Sequence, residues 1–293
     1  MLKIGIIGLS DGNGHPYSWA AIFNGFDKTK ECPFEVIPVY LKQQKFPEDF
    51  LSRLGRVTHI WTQDKKISES VAKFSLINNI VDHPEEMIKS VDAVLLARDD
   101  AENHYDIAIP FLQSGIPVFI DKPFALSLDD AKRMLVKQQF NYQIFTCSSL
   151  RFARELLLTS SELNSIGKIH TVKAFVMKKW STYAIHLLEP MLINLPFRGD
   201  LNKVTKIKGS KYHTVCVSWG NVEAILTVTG KHYTPLEFIY YGEHGEVKKT
   251  FSDAFSSFRS SLQAFVSQIR NQQILIPRSE TLELVNIIEK GMK

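Results

Sequence analysis

The chain is 293 residues long, near the practical limit of a single hydrophobic core, so two packed domains are the expectation. With 44% hydrophobic and 23% charged residues, its composition is that of an ordinary soluble globular protein. The net charge of +4 comes from Lys and Arg scattered along the chain, which argues weakly for small anionic ligands and against nucleic acid. Three widely separated cysteines, Cys32, Cys147 and Cys216, form neither a zinc spacing nor a disulfide framework. A reducing cytoplasm and no metal are therefore expected. Met1 to Leu9 reads as a strand rather than a signal peptide, and no apolar run approaches the roughly 18 residues of a membrane span.

In the first half, short apolar runs alternate with helical patterns, which indicates parallel strands joined by crossover helices. The strands are read at Leu2–Gly8, Val57–Trp61, Asp92–Ala97, Val118–Ile120 and Gln143–Cys147. Helices fit at Tyr17–Asn24, Lys66–Phe74, Glu102–Ser114 and Asp129–Gln139. Residues 28 to 55 form an unusually long link, whose apolar patch Phe34–Tyr40 reads as an inserted strand. After about Arg151 the pattern changes. A helical segment, Phe152–Leu163, leads through a turn at Gly167 into β-rich stretches at Ile169–Met177, Tyr212–Trp219, Asn221–Thr229 and Leu236–Tyr241. The intervals between these are too short for crossover helices, so an antiparallel or mixed sheet, hence a second domain of another kind, is expected. Glu243–Glu246 reads as a hairpin turn, and helices from about Asp253 to Asn271 and after Pro277 close the chain.

Two segments carry chemistry. Val118-Phe119-Ile120 suits a strand buried on both faces, which places Asp121 and Lys122 at its C-terminal edge, where open α/β sheets bind ligands. The competing reading of Lys122 is a solvated loop lysine. Gly8-Leu9-Ser10-Asp11-Gly12-Asn13-Gly14 follows the first strand and precedes a helix, the place of a phosphate loop in a dinucleotide-binding fold. Its spacing departs from G-x-G-x-x-G; a Walker loop is disfavoured because no Gly-Lys-Ser/Thr follows, and a methyltransferase loop stays open on this segment alone. Pro16 suits a first helical position. His15 and Tyr17 then either reach a ligand at the mouth of the crevice or serve as a hydrogen-bonded loop histidine and a packed tyrosine.

Taken in order, the glycine loop, Asp121-Lys122-Pro123, Ser127-Leu128-Asp129-Asp130-Ala131 and Cys147-Ser148-Ser149-Leu150-Arg151-Phe152 resemble the Gfo/Idh/MocA oxidoreductases, with Asp-Lys-Pro for the usual Glu-Lys-Pro. The second half agrees in Ile166-Gly167-Lys168-Ile169, Gly242-Glu243-His244-Gly245, Phe265–Ile269 and Ser279–Leu282. The resemblance implies an α/β protein with an N-terminal Rossmann doubly wound parallel sheet, residues 1–150, binding NAD or NADP. It also implies a C-terminal α+β domain, residues 151–293, with a large, mostly antiparallel open sheet that supplies the substrate pocket. Asp-Lys-Pro and the second domain argue against a methyltransferase.

By this resemblance Lys122 lies near the nicotinamide and the substrate hydroxyl, where a cation stabilises a developing alkoxide or carbonyl dipole, and Asp121 orients it. Family members often carry an Asp four residues before a proton-relaying His; here His186 matches the His, but Thr182 stands in place of the acid. Tyr183 and Glu189, three residues to either side of His186 on a helix, are candidate substitutes. Lys122, His186 and Tyr183 are thus the catalytic candidates. Gly8, Ser10, Asp11, Gly12, Asn13, Gly14, Thr62, Asp64, Arg98, Asp99, Asp121 and Lys122 are the cofactor-binding candidates. Asp64 would serve the ribose of NAD and Lys65 or Lys66 the phosphate of NADP, and the sequence does not choose. In the loop Arg98–His104, Arg98 is a partner for the acids and His104 looks structural.

The implied activity is hydride transfer between a nicotinamide cofactor and a hydroxyl or carbonyl of a small polyhydroxylated substrate: a sugar, cyclitol or nucleotide sugar. A homodimer or homotetramer through the C-terminal sheet is expected, because its apolar-rich strands need cover on both faces. The competing reading is a catalytically silent NAD(P)-binding sensor or assembly subunit, favoured by Thr182 and the irregular glycine loop.

Overall fold

A computed structural model describes residues 1–209 and 211–293. The chain forms two compact units. The first comprises Met1–Ala125, Asp129–Cys147 and Phe258–Pro277; the second comprises Leu126–Leu128, Ser148–Ser257 and Arg278–Lys293.

The first unit is built on a six-stranded parallel sheet of β1 (Leu2–Gly8), β2 (Gly55–Thr62), β3 (Asn79–Ile80), β4 (Ala93–Leu96), β5 (Val118–Ile120) and β6 (Ile144–Phe145). Its order is β3-β2-β1-β4-β5-β6. The apolar runs are buried because helices cover them: Ile4, Ile6, Ile7, Leu95, Leu96 and Ile120 are fully inaccessible. Strand order reverses between β1 and β4, so the crevice for a ligand opens beyond their C-terminal ends. Helices α1 (His15–Asn24), α2 (Val36–Lys42), α3 (Lys65–Phe74), α4 (His104–Gln113) and α5 (Leu128–Leu135) accompany these strands.

Two expectations are corrected in this unit. Phe34–Tyr40 is not an inserted strand, since Val36–Lys42 is helical. Ile37 and Leu41, four apart, are buried, while Val36 and Val39 are 66% and 59% exposed. The β-branched residues and Pro38 imitate a strand, yet a proline in a first helical turn is tolerated and the burial period is that of a helix. Nor is the chain divided by a single cut after residue 150. Much of α8 (Ala254–Asn271) belongs to the first unit. Its Phe265 ring meets Phe119 and Phe145 at centroid separations of 5.6 and 5.9 Å. Gln268 Nε2 donates to the carbonyls of Tyr142 and Ile144, both at 2.9 Å. An aromatic cluster and two otherwise buried carbonyls draw the late helix back to the early sheet.

The second unit contains α6 (Ser160–Ile166), β7 (Ile169–Val176), α7 (Trp180–Ile193), β8 (Leu201–Lys206), β9 (His213–Trp219), β10 (Glu223–Val228), β11 (Glu237–Gly242), β12 (Gly245–Thr250) and α9 (Arg278–Met292). Its six-stranded sheet has the order β12-β11-β7-β10-β9-β8, with β7 and β10 parallel and every other pairing antiparallel. The hairpin turn falls at Glu243 and His244, between the paired Gly242 and Gly245. Alternate residues of the central strands, among them Val172, Ala174, Leu226, Val217 and Phe238, join α7 and α9 in one core. The expected helix over Phe152–Leu163 is instead two 3-10 turns, Ser149–Phe152 and Arg154–Leu156, followed by α6. Thr159 and Glu162 form a capping box that starts that helix late.

Candidate functional site

In the first unit, the glycine loop joins β1 to α1 at the crevice. Gly8 packs so tightly that a Cβ there would lie 2.3 Å from Pro16 Cγ. Gly12 is the opposite case: its φ is +72° and nothing lies within 4 Å of where a Cβ would be. The backbone there is open to close approach. Gly14, the N-cap of α1, offers no side chain, and no acid stands in the first turn, so the helix start is open to an anion. These features fit the pyrophosphate of a dinucleotide. Gln63 fixes the loop from β2, accepting from Leu9 N–H at 2.9 Å and donating to the Leu9 carbonyl at 2.5 Å.

Around this loop runs a network of buried charge. Lys122, 4% exposed, sets its Nζ 3.1 Å from Asp99 Oδ2. Ser10 Oγ donates to Asp99 Oδ1 at 2.6 Å and accepts from Asp99 N–H at 3.0 Å. Burial works to raise the Asp99 carboxyl, but the Lys122 ammonium and the Ser10 hydroxyl outweigh it and hold the group down at about 2. The solvated-loop reading of Lys122 is thereby excluded. Asp121, 1% exposed, accepts Lys122 N–H on its Oδ1 at 2.7 Å, and its Oδ2 accepts Asn13 Nδ2 at 2.9 Å and faces His15 Nδ1 at 2.5 Å. Asp99, 23 residues away in sequence, is the partner that periodicity does not reveal.

The remaining candidates of this unit are held as follows. Thr62 is buried, with Oγ1 bonded to Ser68 Oγ and to the Asp64 carbonyl. Asp64 is the N-cap of α3, accepting Lys66 N–H at 2.8 Å, and Lys65 pairs with Asp82 at 3.0 Å. Arg98 is clamped on Asp100 at 2.8 and 2.5 Å. His104 is wholly buried between the carbonyls of Phe124 and Arg98, which agrees with a structural role. Tyr17, 2% exposed, turns its hydroxyl to Ser70 and is packed rather than at a mouth. Asp11 is exposed on the loop.

In the second unit, α7 carries His186, Tyr183 and Glu189. His186, 8% exposed, has Nδ1 2.7 Å from Ser148 Oγ, and its ring meets Tyr183 edge-on at 4.8 Å. Tyr183 OH accepts from Lys178 Nζ at 2.5 Å. Lys178 has a φ of +72°, a backbone conformation that residues other than glycine seldom adopt. Glu189 lies three residues after His186 on the same helix. Its carboxyl accepts Ser148 N–H and lies 3.6 Å from Arg151 NH1, which also bonds Glu280. Burial pushes the Glu189 carboxyl up to about 8, against the pull of Arg151. Ser148 is thus the link between Glu189 and the imidazole, 38 residues from the histidine in sequence.

Residues 2–145 match the family model described as "Oxidoreductase family, NAD-binding Rossmann fold", that of Gfo/Idh/MocA. No curated protein matches the chain by sequence. Among solved structures, apo scyllo-inositol dehydrogenase from Lactobacillus casei is similar with a TM-score of 0.71 at 14% identity, over 99% of this chain and 94% of that one. An oxidoreductase from Thermotoga maritima gives 0.71 at 16% identity, over 100% and 96%. Biliverdin reductase from Synechocystis, solved with biliverdin and NADP+, gives 0.69 at 13% identity, over 99% and 98%. At such identities the structural likeness speaks to fold, and the family model to kind. With its reversed-order parallel sheet, open glycine turn and Asp-Lys-Pro edge all inside the matched residues, the chain carries the NAD-binding Rossmann domain of the Gfo/Idh/MocA oxidoreductase family.

Proposed function

We propose that the protein transfers a hydride between a nicotinamide cofactor and a carbinol or carbonyl carbon of a small polyhydroxylated molecule: a sugar, a cyclitol or a nucleotide sugar. The observation that carries this reading is Lys122, a buried ammonium at the end of β5, in the unit that holds the glycine loop, and tied through Asp99 to Ser10 of that loop. The inositol dehydrogenase among the similar structures supports the polyol class by analogy.

The cofactor, when bound, takes or gives the hydride. Gly8, Ser10, Asp11, Gly12, Asn13 and Gly14 would hold its pyrophosphate, with Thr62 and Asp64 at the adenosine ribose and Arg98, Asp99 and Asp121 supporting the nicotinamide end. Asp64 keeps one carboxylate oxygen on Lys66 N–H, which leaves the second for a ribose hydroxyl and favours NAD. Lys122 stabilises negative charge on the substrate oxygen as it develops. In the second unit, His186 accepts the hydroxyl proton on oxidation and returns it on reduction, with Ser148 setting its ring and Tyr183 beside it. Self-association through the open face of the second sheet completes the proposal.

The test is a turnover screen of NAD and NADP against sugars, cyclitols and nucleotide sugars, followed by His186→Asn on the best substrate. Oxidation should rise with pH in the wild type as the imidazole sheds its proton, and the variant should be slow and lack that limb. Tight cofactor binding with no hydride exchange across the panel overturns the reading.

A further inference from the structure

His15 opens α1 and lies against the glycine loop, yet no step above uses it. Its Nδ1 faces Asp121 Oδ2 at 2.5 Å. A carboxylate oxygen only accepts, so Nδ1 carries the proton of that bond and the ring cannot turn over without losing it. The imidazole also stacks on Trp19, with centroids 4.8 Å apart and planes 14° apart, and meets the Phe258 ring edge-on at 5.1 Å. Three groups therefore fix one ring. Its second nitrogen, Nε2, has no protein partner, and among the described residues Trp19 Nε1 is the only buried side-chain nitrogen or oxygen without one. Nε2 therefore reaches solvent, on a side chain that is 16% exposed.

The position of the ring says which ligand it would meet. It springs from the first residue after the glycine loop, so it borders the place of the pyrophosphate. It leans toward the end of β5, which lies two strands from β1 on the side away from β2. The adenosine ribose is read at the end of β2, so the ring stands on the nicotinamide side of the diphosphate. His15 also lies within electrostatic reach of Asp99, the partner of Lys122. From this geometry we infer that His15 is a hydrogen-bonding contact for the diphosphate and the nicotinamide-side ribose of the bound dinucleotide, an inference that rests on the dehydrogenase reading. Imidazole suits both groups: it donates to a phosphate oxygen when charged and accepts from a ribose hydroxyl when neutral.

The rival role is a tie that merely satisfies the buried Asp121 carboxylate, and any donor of similar reach can do that. His15→Gln separates the two, because its amide can bond Asp121 but has no second nitrogen across a ring. The melting temperature and the calorimetric affinities for NADH, NADPH, ADP-ribose and AMP are compared in wild type and variant. The variant should melt within a few degrees of the wild type, bind the preferred dinucleotide and ADP-ribose about tenfold more weakly, and bind AMP unchanged. An independent measurement needs no substitution: diethyl pyrocarbonate should modify His15, located by mass spectrometry, and the dinucleotide or ADP-ribose should protect it while AMP does not. Wild-type affinity for the dinucleotide in His15→Gln, or equal loss for all ligands with a lowered melting temperature, or modification unaffected by the dinucleotide, overturns the inference alone. Wild-type protein that binds neither NADH nor NADPH overturns the dehydrogenase reading and this inference with it.

Discussion

A lysine that is 4% exposed is held in place by whatever answers its charge, and in this chain Asp99 answers it at 3.1 Å. Removing the ammonium leaves Asp99 its two Ser10 bonds, so the loop should keep its form. Lys122→Ala is expected to fold and bind cofactor while losing on the order of a hundredfold or more in turnover. Steady-state kinetics beside cofactor titration checks this, and near-normal turnover removes Lys122 from the chemistry. Glu189 behaves differently, because its carboxyl is pushed up by burial and only partly relieved by Arg151. In the unfolded chain it titrates near 4.5, and in the fold near 8. Between those values the folded protein holds a proton that the unfolded chain has released, so stability should fall as pH rises from 4.5 to 8 and level off above. Urea midpoints at pH 5 and pH 8 measure the slope. Glu189→Gln, which keeps an acceptor for Ser148 N–H, should flatten it; an identical slope in the variant assigns it to other groups.

Elements that announce themselves by local pattern were legible, and those fixed by distant partners were not. The buried runs at Ile4–Ile7 and Val118–Ile120 are too apolar and too short for anything but central strands, so the sheet edge bearing Lys122 follows from sequence alone. Helix α2 was hidden because Val36, Ile37 and Val39 favour strands, while the packing of Ile37 and Leu41 decided the outcome. Similarly, nothing near Glu189 tells that it holds the Ser148 N–H, 41 residues away. The return of α8 to the first unit belongs to the same class. Phe265 is fully buried among the rings of Phe119 and Phe145. Phe265→Ala should therefore destabilise the first unit by about 3–5 kcal/mol, the usual cost of emptying a large aromatic site. Chemical denaturation followed by a probe in that unit checks it, and a loss below about 1 kcal/mol would mean the helix is held by Gln268 and its backbone bonds instead.

For the molecule as a whole, the open question of assembly turns on the second sheet. One set of alternating residues lies under α7 and α9, while in the other set Lys173, Phe175, Cys216, Ile225 and Ile239 are half-buried and Thr214 and Thr227 are buried. A solvated face of an antiparallel sheet normally alternates to charged and polar residues. Here one row runs Ile239, Lys173, Ile225, Cys216 across β11, β7, β10 and β9, with a single charge in it. The next row places Phe175 between Glu237 and Thr227, and Lys173 itself lies over the Tyr241 ring at 5.2 Å. Such a face suits an identical face related by a two-fold axis, since each apolar row can then meet its own copy. The protein should accordingly sediment as a dimer or a tetramer at micromolar concentration. Ile225→Glu sets a carboxylate in the middle of the outward row, where the separated subunit can still hydrate it because the site is half-open. That variant should raise the dissociation constant at least about tenfold while leaving the melting temperature of the separated subunit nearly unchanged. Analytical ultracentrifugation of both proteins decides the matter: a monomeric wild type removes the interface, and an Ile225→Glu protein that stays assembled moves it to another surface.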